Sequence, residues 1–150
     1  YCPTLPVRRD QMAVFLLKAE HGSSYTPPDC SGVFPDVPCP GPFTNWVEQL
    51  AAEGVTSGCG GGNYCPSQSV TRAQMAIFLL KTKEGSSYTP PAATGIFGDV
   101  PPGSFGADFI EELYNRGITG GCSTSPLLYC PTTPVLRQQM ATFLVRTFAP

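Results

Sequence analysis

Tyr64-Cys-Pro-Ser-Gln-Ser-Val-Thr-Arg-Ala-Gln-Met-Ala-Ile-Phe-Leu-Leu-Lys-Thr-Lys83 has two further, substituted copies in this chain, opening at Tyr1 and Tyr129. Each copy begins Tyr-Cys-Pro and continues Val-x-Arg-x-Gln-Met-Ala-x-Phe-Leu. Residues 1–28 laid on 64–91 agree at 19 of 28 positions, including all of Gly-Ser-Ser-Tyr-Thr-Pro-Pro. Self-similarity at such a period marks a repeat architecture, in which one unit cannot bury its apolar face without neighbours. In the first copy Met12, Phe15, Leu16 and Ala19 recur at helical spacing, which predicts a core helix behind Val7. Met75 and Met140 hold the same place as Met12 and read as core. His21 and Gly22 end that helix, and Gly22–Pro28 reads as a linker, since its prolines cannot continue a helix. Thr71 and Gln74 spell a capping box, while Arg8 and Leu136 give the outer copies weaker caps.

A second pattern lies between the core helices. Phe34-Pro-Asp-Val-Pro38 returns as Phe97-Gly-Asp-Val-Pro101, each followed by a short apolar-charged run, Asn45–Leu50 and Asp108–Leu113. Asn45 with Glu48, and Asp108 with Glu111, are expected to act as N-cap and reciprocal partner of short helices. Gly54 and Gly117 are placed to close them in the left-handed conformation. The expected organisation is the second half of one repeat plus linker at 1–28, a full repeat plus linker at 30–91 and another full repeat at 94–150. The fold class is mainly α, as tandem helix-loop-helix repeats with long Gly/Pro-rich loops.

Composition narrows the function. A net charge of −2, with nine Lys and Arg in 150 residues, leaves no basic face for nucleic acid. No apolar run is long enough for a membrane span. Seven cysteines point to an oxidising, extracytoplasmic compartment. Tyr1-Cys2-Pro3 lacks the basic and apolar regions of a signal peptide, so a start inside a repeat is expected to mark a mature chain or a fragment. Cys59 and Cys65 bracket one loop, and Cys122 and Cys130 bracket the same loop in the next repeat. Cys30 and Cys39 are both replaced there, by Ala93 and Pro102, which pairs them with each other. Cys2 is left unpaired, open to an intermolecular bond or to a partner in a missing segment. Zinc is the competing use of these cysteines, but there is no Cys-x-x-Cys, and His21 is the single histidine.

Phe-x-Asp-Val, Trp46, Gly54-Val-Thr-x-Gly58, Tyr64-x-Pro66 and Val70-Thr-Arg-Ala-Gln-Met-Ala76 together resemble the S-layer homology repeat. The resemblance runs over nearly the whole chain, in a cysteine-containing variant. It implies a pseudo-threefold bundle that attaches secreted proteins to the cell envelope. It also implies grooves between the repeats that hold an acidic, pyruvylated polysaccharide contacted by the arginine of a Thr-Arg-Ala-Glu motif. Carried over, that arginine is Arg72, with Arg9 and Arg137 in the other copies, and Trp46 matches the family's aromatic position. The chain departs from the pattern at Gln11, Gln74 and Gln139, which stand for the motif's Glu, at Arg8 and Leu136 for its Thr, and at Phe109 for Trp46.

Arg9, Arg72 and Arg137 open their helices, where a cation opposes the helix dipole by about 0.3–1 kcal/mol. That repeated placement reads either as an anion site made with free helix N–H groups or as an ion pair with Asp36 or Asp99. Trp46 could stack on a sugar or pack as a hinge. Asp36 and Asp99 could face a cation or a turn. No Ser-His-acid set and no phosphate loop with its lysine occur, and no cofactor is implied. The expected function is a non-catalytic, extracellular envelope-anchoring module for an acidic surface polysaccharide. The alternative is a self-assembling structural subunit of a surface layer or filament, in which another copy completes the N-terminal half-repeat.

Overall fold

The computed structural model describes residues 1–149, so the last residue of the 94–150 stretch, Pro150, lies outside the described residues. Five helices carry the fold: α1 (Arg9–His21), α2 (Thr44–Ala52), α3 (Arg72–Glu84), α4 (Ala107–Asn115) and α5 (Arg137–Phe148). A two-residue hairpin, β1 (Ser123–Thr124) and β2 (Leu127–Leu128), sits in the loop after α4. The expectation of a mainly α, disulfide-stapled bundle of tandem helix-loop-helix units holds.

Three extended arms, one before each long helix, close the bundle. Val7 N–H donates to Val135 O, Val135 N–H to Val70 O, and Val70 N–H back to Val7 O, at 2.8, 2.9 and 2.9 Å. The next bonds follow the same cycle: Arg9 N–H to Gln68 O, Arg72 N–H to Thr133 O, and Arg137 N–H to Leu5 O. The arm before α3 thus satisfies the first amides of α1, the arm before α5 those of α3, and the arm before α1 those of α5, amides that have no partner inside their own helix. The three valines are fully buried, and α1, α3 and α5 pack mutually behind them with Met12, Met75 and Met140 inside. This ring is a pseudo-threefold axis inside one chain.

The short helices pack in a way the repeat boundaries conceal. α2 lies on α1 and α4 on α3, while α2 makes no contact with α3, the long helix of its own sequence repeat. The buried surface of α1 is therefore wider than the single face Met12, Phe15, Leu16 and Ala19: Ala13 and Leu17 are closed as well, under α2. Phe15 and Ala19 are only partly buried.

The helix ends confirm some expectations and correct others. Thr71 Oγ1 accepts from Gln74 N–H and Gln74 Oε1 from Thr71 N–H, a complete capping box. At Arg8 and Leu136 only the glutamine half survives. Gly54 and Gly117 take φ of +76° and +71° behind the short helices. Asn45 and Asp108, however, are not N-caps. Phe43 and Gly106 cap α2 and α4, and the two polar side chains lie two residues further in, within the first turn, accepting from Cys30 N–H and Ala93 N–H. Their partners Glu48 and Glu111 likewise turn away from the helix start and clamp the incoming linker. Glu48 accepts from the N–H groups of Ser31, Gly32 and Val33 at 2.6–2.8 Å, and Glu111 from those of Thr94, Gly95 and Ile96. A chain turning back onto the preceding long helix needs its free amides satisfied, and a buried carboxylate does that better than a cap would.

The three expected disulfides, Cys30–Cys39, Cys59–Cys65 and Cys122–Cys130, are formed, and Cys2 is free and exposed. Cys59–Cys65 and Cys122–Cys130 staple the loops that lead into α3 and α5. In those loops Gly58 and Gly121 have φ of +104° and +84°, and a Cβ on either would lie 2.3–2.4 Å from a carbonyl oxygen across the loop.

Candidate anion clefts at the helix starts

Each arginine that opens a long helix is held in the same way. Arg9 Nε donates to Tyr64 O at 2.8 Å, Arg72 Nε to Tyr129 O at 2.7 Å, and Arg137 Nε to Tyr1 O at 2.8 Å. Each tyrosine hydroxyl returns a bond to the backbone oxygen of its arginine. The guanidinium lies over that tyrosine ring and faces a phenylalanine of the neighbouring long helix: Tyr64 and Phe78 for Arg9, Tyr129 and Phe143 for Arg72, Tyr1 and Phe15 for Arg137. The centroid distances run from 4.5 to 5.7 Å, within cation–π range.

None of the three pairs with a carboxylate. Among the described residues the ion pairs are Arg8–Asp10, His21–Glu53, and Arg116 with Glu84 and Glu112. Asp36 instead accepts the N–H groups of Tyr64 and Cys65, and Asp99 those of Tyr129 and Cys130. Burial would raise the Asp36 carboxyl, but these N–H donors outweigh it and hold it below its ordinary value. The aspartates therefore fix the backbone carrying the tyrosine, and so place the arginine at one remove. The reading of Arg9 and Arg72 as ion-paired with Asp36 or Asp99 is not what the structure shows.

Arg9 and Arg72 are only 3% and 5% exposed, and each floors a cleft. The Arg9 cleft, about 360 Å³, is walled by the loop Gly54–Gly58 and by Gln74, Phe78 and Lys81 of α3. Thr56 Oγ1 lies 3.4 Å from Arg9 Nη2. The Arg72 cleft, about 190 Å³, has the same build from Thr119–Gly121 and from Gln139, Phe143 and Arg146 of α5. No acidic side chain lines either one, and each has a second cation, Lys81 or Arg146, at the same position of the neighbouring helix. Burial lowers the pKa of Arg9, the direction expected for a cation removed from water. Arg72 Nη2 is buried with no hydrogen-bond partner at all. A buried, unpaired donor is costly unless something satisfies it.

The Arg137 cleft is lined differently. Gln11, Val14 and Phe15 of α1 and Phe43 form one side with Arg137, but no loop stands where Gly54–Gly58 and Thr119–Gly121 wall the other two. The sequence places all three arginines together by type, whereas in the structure a loop lines the clefts at Arg9 and Arg72 and Phe43 stands beside the one at Arg137. Trp46 does not line the Arg9 or the Arg72 cleft. Its ring meets Tyr25 edge-on at 6.0 Å and carries Lys18 Nζ over its face at 5.6 Å. Lys18 holds in α1 the place of Lys81 in α3, so Trp46 belongs with the Arg137 side of the bundle. The second cation of each cleft was not foreseen. Its signal was present in the recurrence of Lys18, Lys81 and Arg146 at one register position.

Residues 43–76, from the cap of α2 through the stapled loop to the second turn of α3, match the family model described as the S-layer homology domain. The chain is 30% identical over 108 residues to the Exoglucanase XynX of Acetivibrio thermocellus, an alignment covering 69% of this chain and 9% of that protein. It is 27% identical over 134 residues to the Amylopullulanase of Thermoanaerobacterium thermosulfurigenes, covering 87% of this chain and 7% of that one. It thus spans less than a tenth of the length of the curated relatives it matches. The chain belongs to the S-layer homology domain family, in a cysteine-containing form.

Proposed function

We propose that this chain is a non-catalytic, extracellular anchoring module that holds a carboxylate-bearing polysaccharide of the cell envelope in the Arg9 and Arg72 clefts. One observation carries the reading: two buried guanidiniums without a carboxylate partner lie at the floors of clefts that hold a second cation and no acid. Sugar rings would lie against Phe78 and Phe143, with the anionic group reaching the arginine and Lys81 or Arg146 completing its charge. Arg137 would contribute a third subsite where its cleft is walled, with Trp46 at its far end. No helix among the described residues is long and apolar enough to cross a membrane.

The test is retention on purified, acidic envelope polysaccharide. Arg9→Gln and Arg72→Gln are each expected to weaken binding about 10- to 100-fold, the worth of one or two charge-assisted bonds. The double variant should lose retention altogether. Equal retention of the parent and the double variant would remove the proposed site.

The second reading, a structural subunit that assembles with its own kind, draws on the exposed Cys2. Electrophoresis with and without reductant separates it from simple anchoring: a disulfide-linked ladder supports assembly, and a monomer in both lanes counts against covalent polymerisation.

A further inference from the structure

Each of the two loop disulfides sits on a turn that grips a helix other than the one it leads into. The turn Tyr64–Gln68 precedes α3 but holds the start of α1. Arg9 Nε donates to Tyr64 O, Arg9 N–H to Gln68 O and Asp10 N–H to Pro66 O, and the Tyr64 hydroxyl donates to Arg9 O. The turn Tyr129–Thr133 precedes α5 and holds α3 by the matching bonds, to Tyr129 O, Thr133 O and Pro131 O, with the Tyr129 hydroxyl on Arg72 O. Cys65 and Cys130 are the second residues of these turns. Both take φ of 59°, in the left-handed region that a residue with a Cβ adopts only where its surroundings impose it.

That torsion sets the place of the guanidinium. Tyr64 O belongs to the peptide on one side of the Cys65 N–Cα bond, and Pro66 O and Gln68 O lie on the other. A turn of φ at Cys65 therefore shifts the acceptor of Arg9 Nε against the two that hold the α1 backbone. Asp36 restrains it from one side, through the N–H groups of Tyr64 and Cys65. The disulfide restrains it from the other, tying Cys65 to Cys59, the residue after Gly58 of the cleft wall. Cys130 is tied likewise to Cys122, the residue after Gly121 of the Arg72 cleft. Each staple thus joins the wall of a cleft to the turn that holds its floor. The turn Tyr1–Leu5 makes the same bonds to α5 although Cys2 is in no disulfide. A staple is therefore not what forms the bonds; its part is to keep turn and wall closed together.

We propose that Cys59–Cys65 and Cys122–Cys130 are positioning devices for the anion clefts, each acting on the arginine of the preceding long helix: the first on Arg9, the second on Arg72. That the clefts hold an anion rests on the anchoring reading, but the coupling of staple to guanidinium does not. The assignment runs against sequence order, since Cys65 stands far nearer to Arg72 than to Arg9. Loss of one disulfide would loosen one cleft and leave the other formed.

Phenylglyoxal modification of the folded chain, with each modified arginine located by mass spectrometry, tests the coupling without polysaccharide. In Cys59→Ser/Cys65→Ser, Arg9 is expected to react at least about tenfold faster than in the parent, while Arg72 stays within about twofold. Cys122→Ser/Cys130→Ser should reverse the pattern. Equal acceleration of both arginines marks a staple that only stabilises the whole fold, and overturns the proposal. So does acceleration of Arg72 alone in the first variant, or no change at Arg9. Should a serine pair not fold, brief reduction of the parent with dithiothreitol followed by alkylation gives chains that have lost one staple, on which the same outcomes decide. Retention on acidic polysaccharide then separates this coupling from the anchoring function. Cys59→Ser/Cys65→Ser should weaken retention by the same factor as Arg9→Gln and add nothing when the two are combined. Selective reactivity with unchanged retention would sink the anchoring function and leave the coupling standing. Unselective reactivity would sink the coupling whatever retention does.

Discussion

Changing Glu48 to Gln tests the linker clamp with almost no change of shape. Burial would raise the Glu48 carboxyl, but the N–H groups of Ser31, Val33 and Gly32 and the Ser31 hydroxyl outweigh it and hold its pKa below the ordinary 4.5. An amide turns one acceptor oxygen into a donor. If that oxygen is Oε2, NH2 faces the Ser31 N–H from 2.6 Å; if it is Oε1, NH2 faces the N–H groups of Gly32 and Val33. Either way at least one N–H loses its partner, at about 1–3 kcal/mol, and the remaining bonds lose a charged acceptor. Ser31–Val33 lie at the surface, so water recovers part of this, leaving an expected loss of about 1–3 kcal/mol at pH 7. For a chain of this size that is roughly 3–10 °C in melting temperature. A carboxylate with a depressed folded pKa stabilises fully above its unfolded value and loses that contribution as pH falls through the folded value. The gap between parent and Glu48→Gln should therefore be complete at pH 7 and close as pH drops below 4.5, the unfolded reference. Thermal melts followed by circular dichroism from pH 7 to pH 3, disulfides intact, measure both. Melting with the parent at pH 7, or a gap that persists unchanged at pH 3, would refute the clamp.

Glu111→Gln should behave alike, and the double variant should be additive within about 0.5 kcal/mol, as the two clamps share no partner. Replacing Cys59 and Cys65 together by Ser should cost about 2–3 kcal/mol in denaturant titration, the entropy returned to a short unfolded loop. Gly58→Ala should cost at least about 2 kcal/mol, since its Cβ meets Asn63 O and its φ is +104°. Gly60→Ala has no such neighbour and should cost less. Polysaccharide retention should weaken as salt rises from roughly 0.05 to 0.5 M, and Lys81→Gln should flatten that dependence for the Arg9 cleft, measured by affinity electrophoresis.

What the sequence made legible is what local chemistry decides. The long helices, the Thr71–Gln74 box, the glycine stops at Gly54 and Gly117 and all three disulfides follow from residue type and spacing. What stayed hidden depends on which element meets which. Glu48 reads as a capping residue because its spacing from Asn45 is right, yet the linker doubles back onto α1 and presents amides that the carboxylate takes instead. Asp36 reads as a partner for Arg9, but its oxygens serve the amides of Tyr64 and Cys65, contacts across 28 and 29 residues that no local pattern encodes.

The same distinction explains why the arginines recur where they are least comfortable. A cation at a helix start opposes the dipole, and here it is also drawn out of water, so stability alone would favour another residue at Arg9 and Arg72. The fold softens the cost with a tyrosine carbonyl, two aromatic faces and, for Arg9, the more distant charge of Asp36, but it supplies no carboxylate at ion-pair distance. Yet acidic side chains are close at hand in the chain, and Asp36 and Asp99 are spent on fixing the tyrosine backbone behind each guanidinium. An arrangement that holds the arginine rigidly without a carboxylate in contact is what anion capture requires, because a built-in partner would have to be displaced first. On the proposed anchoring function, the stability given up at Arg9 and Arg72 would be set aside for a ligand, and the threefold ring would let one chain make that concession at more than one site while its core stays closed.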